Sequence, residues 1–285
     1  MGALRKQMDE DMLVKGMANR TREAYLSAVA GLAKYYGKSP DEITEAEVQR
    51  YLVHLLEERK LAWASCNVVL NALKFLYRVT LKRAATEFRL PTPRQPQRLP
   101  QILAREEVAR LIESTSNLKH RTMLMTAYGA GLRVSELCHL KVADIDSARM
   151  TIRVEQGKGA KDRYTMLSPR LLAQLRRYWL AYRPQEWLFP SRRNARTPLD
   201  PSTPQRVFYA AKRCARIAKR CGIHALRHAF ATHLLEAGVD IHTIQRLMGH
   251  GHISSTLRYF HLARKHVAGI PSPLELLEGA QSAPR

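Results

Sequence analysis

The sequence predicts a mainly α protein: a helical N-terminal bundle followed by a mostly helical α+β domain with a small antiparallel sheet or hairpin. Three observations carry this. Apolar residues recur at helical spacing through most of residues 1–89, one stretch in the second half alternates with period two around a Gly-Lys-rich turn, and four prolines fall within ten residues between these regions. A chain of 285 residues is also long enough for two cores, since a domain takes roughly 100–200 residues.

The first part reads as about four helices, counting the N-terminal segment. "TREAYLSAVAGLAKYYG" puts Tyr25, Val29, Leu32 and Tyr36 on one stripe and stops at Gly37. "SPDEITEAEVQRYLVHLLEER" and "WASCNVVLNALKFLYRVT" repeat the pattern. In "PTPRQPQRLP", Pro91, Pro93, Pro96 and Pro100 remove backbone donors at close intervals, so residues 90–100 read as a linker between a domain at 1–89 and one at 101–285. Beyond the linker, "RMTIRVEQGKGAKDRYTMLS" is a hairpin signal, and "KRCARIAKR" (212–220) reads as a basic helical run. A solvated face explains that run as well as a DNA contact does.

The formal net charge is +22, with 15 Lys/Arg against 11 Asp/Glu in residues 1–89 and 32 against 14 in residues 90–285. Such an excess favours an extended polyanion as partner, concentrated on the second domain. Cys66, Cys138, Cys214 and Cys221 form no CxxC pair and no zinc-ligand spacing, which predicts free thiols. No apolar run of about 18 residues is present, and the opening "MGALRKQMDEDMLVKGM" is too charged for the core of a secretory signal. A soluble, cytoplasmic protein without membrane contact is expected.

Four clusters can carry chemistry. In "YGAGLRVSELCHL", Gly129 and Gly131 are expected to break the chain before a helix with Arg133 near its start and Glu136 one turn on. By itself such a pair is usually a surface ion pair. In "GKGAKDR", Lys158 sits between Gly157 and Gly159 on a hairpin tip; a P-loop would need Ser or Thr where Gly159 stands. "GIHALRHAFATHLLEAG" reads as an amphipathic helix with Leu226, Phe230 and Leu234 toward the core and His224, Arg227 and His228 on the opposite side. That set lacks the HExxH form and an acidic third ligand, so a phosphate clamp suits it better than a metal. Last, "LMGHGHISSTLRYFHL" places His250 after a glycine turn and Tyr259 nine positions on, with His252, Arg258 and His261 in supporting or solvent-facing positions.

In this order the clusters resemble the tyrosine recombinase/integrase family, whose pattern is Arg, Lys in a hairpin, His-x-x-Arg, His, then Tyr. The matching residues are Arg133, Lys158, His224 with Arg227, His250 and Tyr259. Nearly the whole chain is covered, because that family joins a helical core-binding domain to a larger catalytic one. The chain departs from the pattern at "GHISST", where small polar residues are common, and at Phe260, where threonine is frequent. The 66-residue step from Lys158 to His224 leaves no room for the extra segment of integron integrases, so the resemblance is to a Xer-like or simple phage- or plasmid-type enzyme.

The resemblance implies a site-specific recombinase that cleaves and rejoins DNA through a 3′-phosphotyrosyl intermediate, with no ATP, metal or other cofactor. It implies Tyr259 as nucleophile, Lys158 as general acid, Arg133 and Arg227 on the nonbridging phosphate oxygens, and His224 and His250 as hydrogen-bond donors or proton carriers. The implied partners are double-stranded DNA at paired recombination sites and further copies of the chain, up to a tetramer on DNA, in a prokaryotic-type, nucleoid-associated setting. The tail "IPSPLELLEGA", with apolar Leu274, Leu276 and Leu277 after Pro271 and Pro273, is implied to dock on a neighbouring protomer; folding back onto its own domain is the other option. A type IB topoisomerase, a non-catalytic DNA-binding protein and a metal-dependent nuclease remain alternative readings.

Overall fold

In the computed structural model the chain forms two compact units, Met1–Gln97 and Arg98–Arg285. The structure describes residues 2–83, 88–90, 101–155, 162–253 and 256–257. Lys158, Tyr259, the proline-rich stretch 91–100 and the tail at 270–280 lie outside the described residues.

The first unit is a bundle of α1 (Ala3–Val14), α2 (Asn19–Tyr36), α3 (Glu45–Glu57) and α4 (Trp63–Phe75), the last running into a π-helical turn at Leu76–Thr80. Along the stripe expected for α2, Val29 and Leu32 are buried, Tyr25 and Tyr36 pack at the rim, and Gly37 closes the helix in the left-handed conformation (φ 65°). The α3 start is tied by a reciprocal cap: Glu47 accepts from the Thr44 amide at 2.9 Å while Thr44 Oγ1 accepts from the Glu47 amide. Tyr77 is fully buried, and its hydroxyl donates toward the Pro40 and Ile43 carbonyls at 2.8 and 3.0 Å. A buried phenol needs that partner, so this contact locks α4 against the loop before α3.

The second unit is built around α6 (Leu118–Gly129), which packs on α5 (Arg105–Glu113), α8 (Pro169–Tyr182), α9 (Ser202–Cys214) and α10 (His224–Glu236). After α6 come the short α7 (Val134–Cys138) and a three-stranded antiparallel sheet, β1 (Ile145–Asp146), β2 (Thr151–Val154) and β3 (Arg163–Met166), in that order. The expected hairpin is the β2–β3 pair, with Thr151 opposite Met166 and Val154 opposite Arg163; β1 extends it by one short strand. Period-two burial holds in β2, where Ile152 and Val154 are covered, and Thr165 of β3 donates to the Ala130 carbonyl at 3.0 Å. That bond fastens the sheet to the turn that follows α6. The last described helix is α11 (Ile241–Met248), capped at its start by Asp240 and closed by Gly249.

Three local expectations are corrected. Gly129 is the last residue of α6, and only Gly131 has a positive φ (59°), so a single glycine turns the chain before Arg133. The run 212–220 is helical only through Cys214; Arg216 is left-handed and Ile217 turns into the core. Most substantially, α10 is not amphipathic: Leu226 and Phe230 are buried as expected, but so are Arg227, Ala231, Thr232 and His233, while Leu234 is half-buried. Of its polar residues, Arg227, Thr232 and His233 are covered, because α6, α5 and α11 pack on the helix from several directions, while His224 stays exposed and His228 is half-buried. All four cysteines are free, and no helix among the described residues is long and apolar enough to cross a membrane.

Candidate active site

The site assembles where the turn after α6, the start of β3, the first turns of α10 and the end of α11 meet. Gly131 supplies the first corner. Its left-handed backbone lies so close to Phe230 that an added Cβ would stand 2.4 Å from a ring carbon, and its carbonyl accepts from Arg227 Nη1 at 2.6 Å. Two residues later Arg133 caps α7, and Glu136 reaches back to the Arg133 amide at 2.8 Å and to its guanidinium at 2.6 Å.

Glu136 is far from the surface ion pair that its spacing alone permits. It is only 8% exposed, and Arg163 grips both of its oxygens at 2.8 and 2.7 Å, with Arg227 a further 3.6 Å from Oε2. Burial pushes its pKa up, but the hydrogen bonds and charge of Arg163, the Arg133 amide and the Arg227 charge outweigh it and hold the carboxyl at about 2. A buried carboxylate of this kind is stable only when fully paired. Three guanidiniums around one carboxylate leave a local excess of two positive charges, which is what an oxyanion would meet.

The end of α11 binds the same three arginines. The Leu247 carbonyl accepts from Arg163 Nε at 2.9 Å, the Met248 carbonyl from Arg227 Nη2, and the Gly249 carbonyl from Arg133 Nη2 at 3.1 Å. Carbonyls at a helix C-terminus lack intrahelical donors and sit at the negative end of the helix dipole, so each arginine satisfies one of them. Gly249 has φ 61°, and an added Cβ would lie 2.6 Å from Arg163 Cδ; the glycine lets the Arg163 stem pass beneath the turn.

His250 follows directly. Its amide donates to the Gln245 carbonyl at 3.2 Å, the Gln245 side chain returns a bond to the His250 carbonyl at 3.1 Å, and the ring Nδ1 lies 2.9 Å from Thr256 Oγ1. Burial first, then the Arg227, Arg133 and Arg163 charges, push its pKa down to about 4. It is therefore a neutral imidazole at pH 7, able to donate or accept one hydrogen bond rather than act as a fixed cation. His224, at the first turn of α10, is solvent-accessible, yet desolvation and the Arg227 and Arg133 charges lower its pKa as well. His228 shifts the same way through burial and then the His224 and Arg227 charges.

Of the residues singled out from the sequence, Arg133, Arg227 and His250 converge on one constellation, with His224 in electrostatic reach of both arginines. His252, two residues after His250, is exposed. The residue that sequence reasoning missed is Arg163. A signal was present: with period-two alternation, Arg163 shares a strand face with buried Thr165 and so had to point inward.

Residues 101–266 match the family model described as the phage integrase family, and residues 4–87 match that of the phage integrase N-terminal SAM-like domain. The chain is 45% identical over 278 residues to y4qK of Sinorhizobium fredii, a candidate integrase/recombinase, spanning 97% of this chain and 90% of that protein. It is 36% identical over 257 residues to tyrosine recombinase XerA of Pyrococcus horikoshii, covering 87% and 86% of the two chains. Among solved structures, a lambda integrase tetramer bound to a Holliday junction shares the fold with a TM-score of 0.71 at 21% identity, over 90% of this chain and 76% of that one.

Proposed function

The chain belongs to the phage integrase family of tyrosine recombinases, and from that premise we propose that it recombines DNA at specific sites with the six residues Arg133, Lys158, His224, Arg227, His250 and Tyr259 as its catalytic set. The observation that carries the assignment is the convergence of Arg133 and Arg227 on the carbonyls of Gly249 and Met248, next to His250. Residues 94 positions apart in sequence, with no need to meet for packing alone, form a cationic seat for a phosphodiester.

In the proposed reaction the Tyr259 oxygen attacks the scissile phosphorus, the new phosphorus–oxygen bond to the tyrosine forms, and the bond to the 5′ oxygen breaks. A free phenol has a pKa near 10, so only about one in a thousand is ionised at pH 7 and nearby cations must favour the phenolate. Arg133 and Arg227 stabilise the charge that builds on the nonbridging oxygens, which is the main task in phosphoryl transfer. Lys158 gives the leaving 5′ oxygen its proton, and neutral His224 and His250 hydrogen-bond the phosphate or relay protons. The phosphotyrosyl link conserves the bond energy for rejoining by the 5′ hydroxyl, so neither ATP nor a metal is required.

The same reading gives residues 1–89 the role of a core-binding domain, 90–100 that of a linker, and 101–285 that of the catalytic domain with its tail. Double-stranded DNA at paired sites is the partner, in the cytoplasm and at the nucleoid. The lambda integrase tetramer on a Holliday junction supports a tetramer here as the working assembly. The test is Tyr259→Phe, which keeps the ring and removes the nucleophile. DNA binding should persist while covalent protein–DNA adducts disappear, and activity of the native chain should survive chelator. Adducts at native yield in the variant would reject Tyr259, and dependence of the native reaction on a metal would reject this mechanism in favour of a nuclease.

A further inference from the structure

Arg163 is assigned no part in the proposed reaction, yet its side chain is tied into the constellation at three points. Its guanidinium takes both Glu136 oxygens and the Leu247 carbonyl, its side chain is 9% exposed, and its stem fills the space beneath Gly249. Glu136 has room for about four hydrogen bonds on its two oxygens, and among the described residues two come from Arg163, one from the Arg133 side chain and one from the Arg133 amide.

We infer that Arg163 is a positioning residue for strand cleavage, holding Glu136 so that the carboxylate does not draw Arg227 out of the phosphate seat. The inference rests on the reading of Arg133 and Arg227 as that seat. Without Arg163, two acceptor positions on a buried carboxylate lose their donors, and leaving them empty is unfavourable. The nearest replacement cation is Arg227, already 3.6 Å from Oε2. Turning toward Glu136 would take Arg227 off the Gly131 and Met248 carbonyls, which set its present direction. The Leu247–Gly249 turn would also lose the stem on which it rests, and His250 moves with that turn.

The experiment uses the full chain and a DNA duplex carrying the cleavage site mapped for the native protein by sequencing its covalent adducts. The duplex is nicked beside that site so that the released 5′ end diffuses away and adducts accumulate. Adduct formation rate at saturating protein and DNA affinity are measured separately for Arg163→Gln, Arg163→Lys and the double variant Arg163→Gln/Glu136→Gln, each with a melting temperature. Arg163→Gln should lower the adduct rate about 100-fold while affinity changes by less than about threefold, the cost expected for a misplacement of about 1 Å. The double variant should recover at least about tenfold, because an uncharged amide no longer attracts Arg227. Arg163→Lys should fall between the native chain and Arg163→Gln, since an ammonium restores charge but cannot span both oxygens and the Leu247 carbonyl.

A native adduct rate in Arg163→Gln, or a double variant no faster than Arg163→Gln, overturns the inference. Should Arg163→Gln melt below the assay temperature, Arg163→Lys carries the test: a native rate there, with the native melting temperature, overturns the two-oxygen seat. Failure of the native chain to form any adduct would instead reject the recombinase reading and leave the Arg163 question distinguishable from it.

Discussion

Gly131→Ala isolates the backbone corner on which Arg227 is mounted. The native φ of 59° lies in the left-handed region, which costs an alanine about 1–2 kcal/mol relative to glycine. The new methyl would also stand 2.4 and 2.6 Å from two carbons of the Phe230 ring. Phe230 is only 5% exposed, so the ring has little space to retreat, and overpacking of this kind costs about 1–3 kcal/mol. The larger unit should therefore lose about 2–5 kcal/mol, a substantial share of the roughly 5–15 kcal/mol typical of a folded domain. Urea unfolding followed by far-ultraviolet circular dichroism reads this as a lower midpoint with an unchanged slope. Gly129→Ala is the internal control: it sits in α6, its new Cβ would meet Leu171 at 3.4 Å, and it should change stability by less than about 1 kcal/mol. A Gly131→Ala protein within about 0.5 kcal/mol of native would refute the reasoning, as would equal losses in the two variants.

The neutral His250 makes stability pH-dependent. Its folded pKa of about 4 lies below the ordinary value of 6.5, so the unfolded chain binds the proton more readily, and stability present above pH 6.5 is lost as pH falls toward 4. Discounted for the solvent that still reaches a half-buried ring, this shift is worth about 1–2 kcal/mol. His250→Gln should flatten the pH 7 to 4 stability curve by that amount, and parallel curves for the two proteins would contradict it. If both units bind DNA, the log–log salt slope of binding should be shallower for residues 98–285 than for the full chain, by about 0.9 for each phosphate that the first unit neutralises, and equal slopes would remove the first unit from the interface. Deleting residues 271–285 should spare single-site binding but abolish cooperative binding to paired sites and recombination; a truncated chain recombining at full rate would exclude docking of the tail on a neighbour.

Much of this protein follows from local sequence pattern. The stripe of Val29 and Leu32 ending at Gly37, the β2–β3 hairpin and the separation of a helical bundle from a mixed domain are set by relations between residues a few positions apart. The order and type of Arg133, His224, Arg227 and His250 likewise point to the phosphate chemistry proposed above, because guanidinium and imidazole groups suit an oxyanion wherever the fold brings them together. Tertiary structure alone decided which faces are covered. The polar side of α10 is legible as polar, but only α6 and α11 packing across it make Arg227 a buried group oriented by two carbonyls. Gly129 and Gly131 look alike in sequence, and what separates them is whether α6 has ended. Arg163 lies 27 residues from Glu136 and 84 from Leu247, so no local periodicity relates them. They meet because a buried carboxylate and the unpaired carbonyls ending α11 both require donors, and one guanidinium at the start of β3 reaches both.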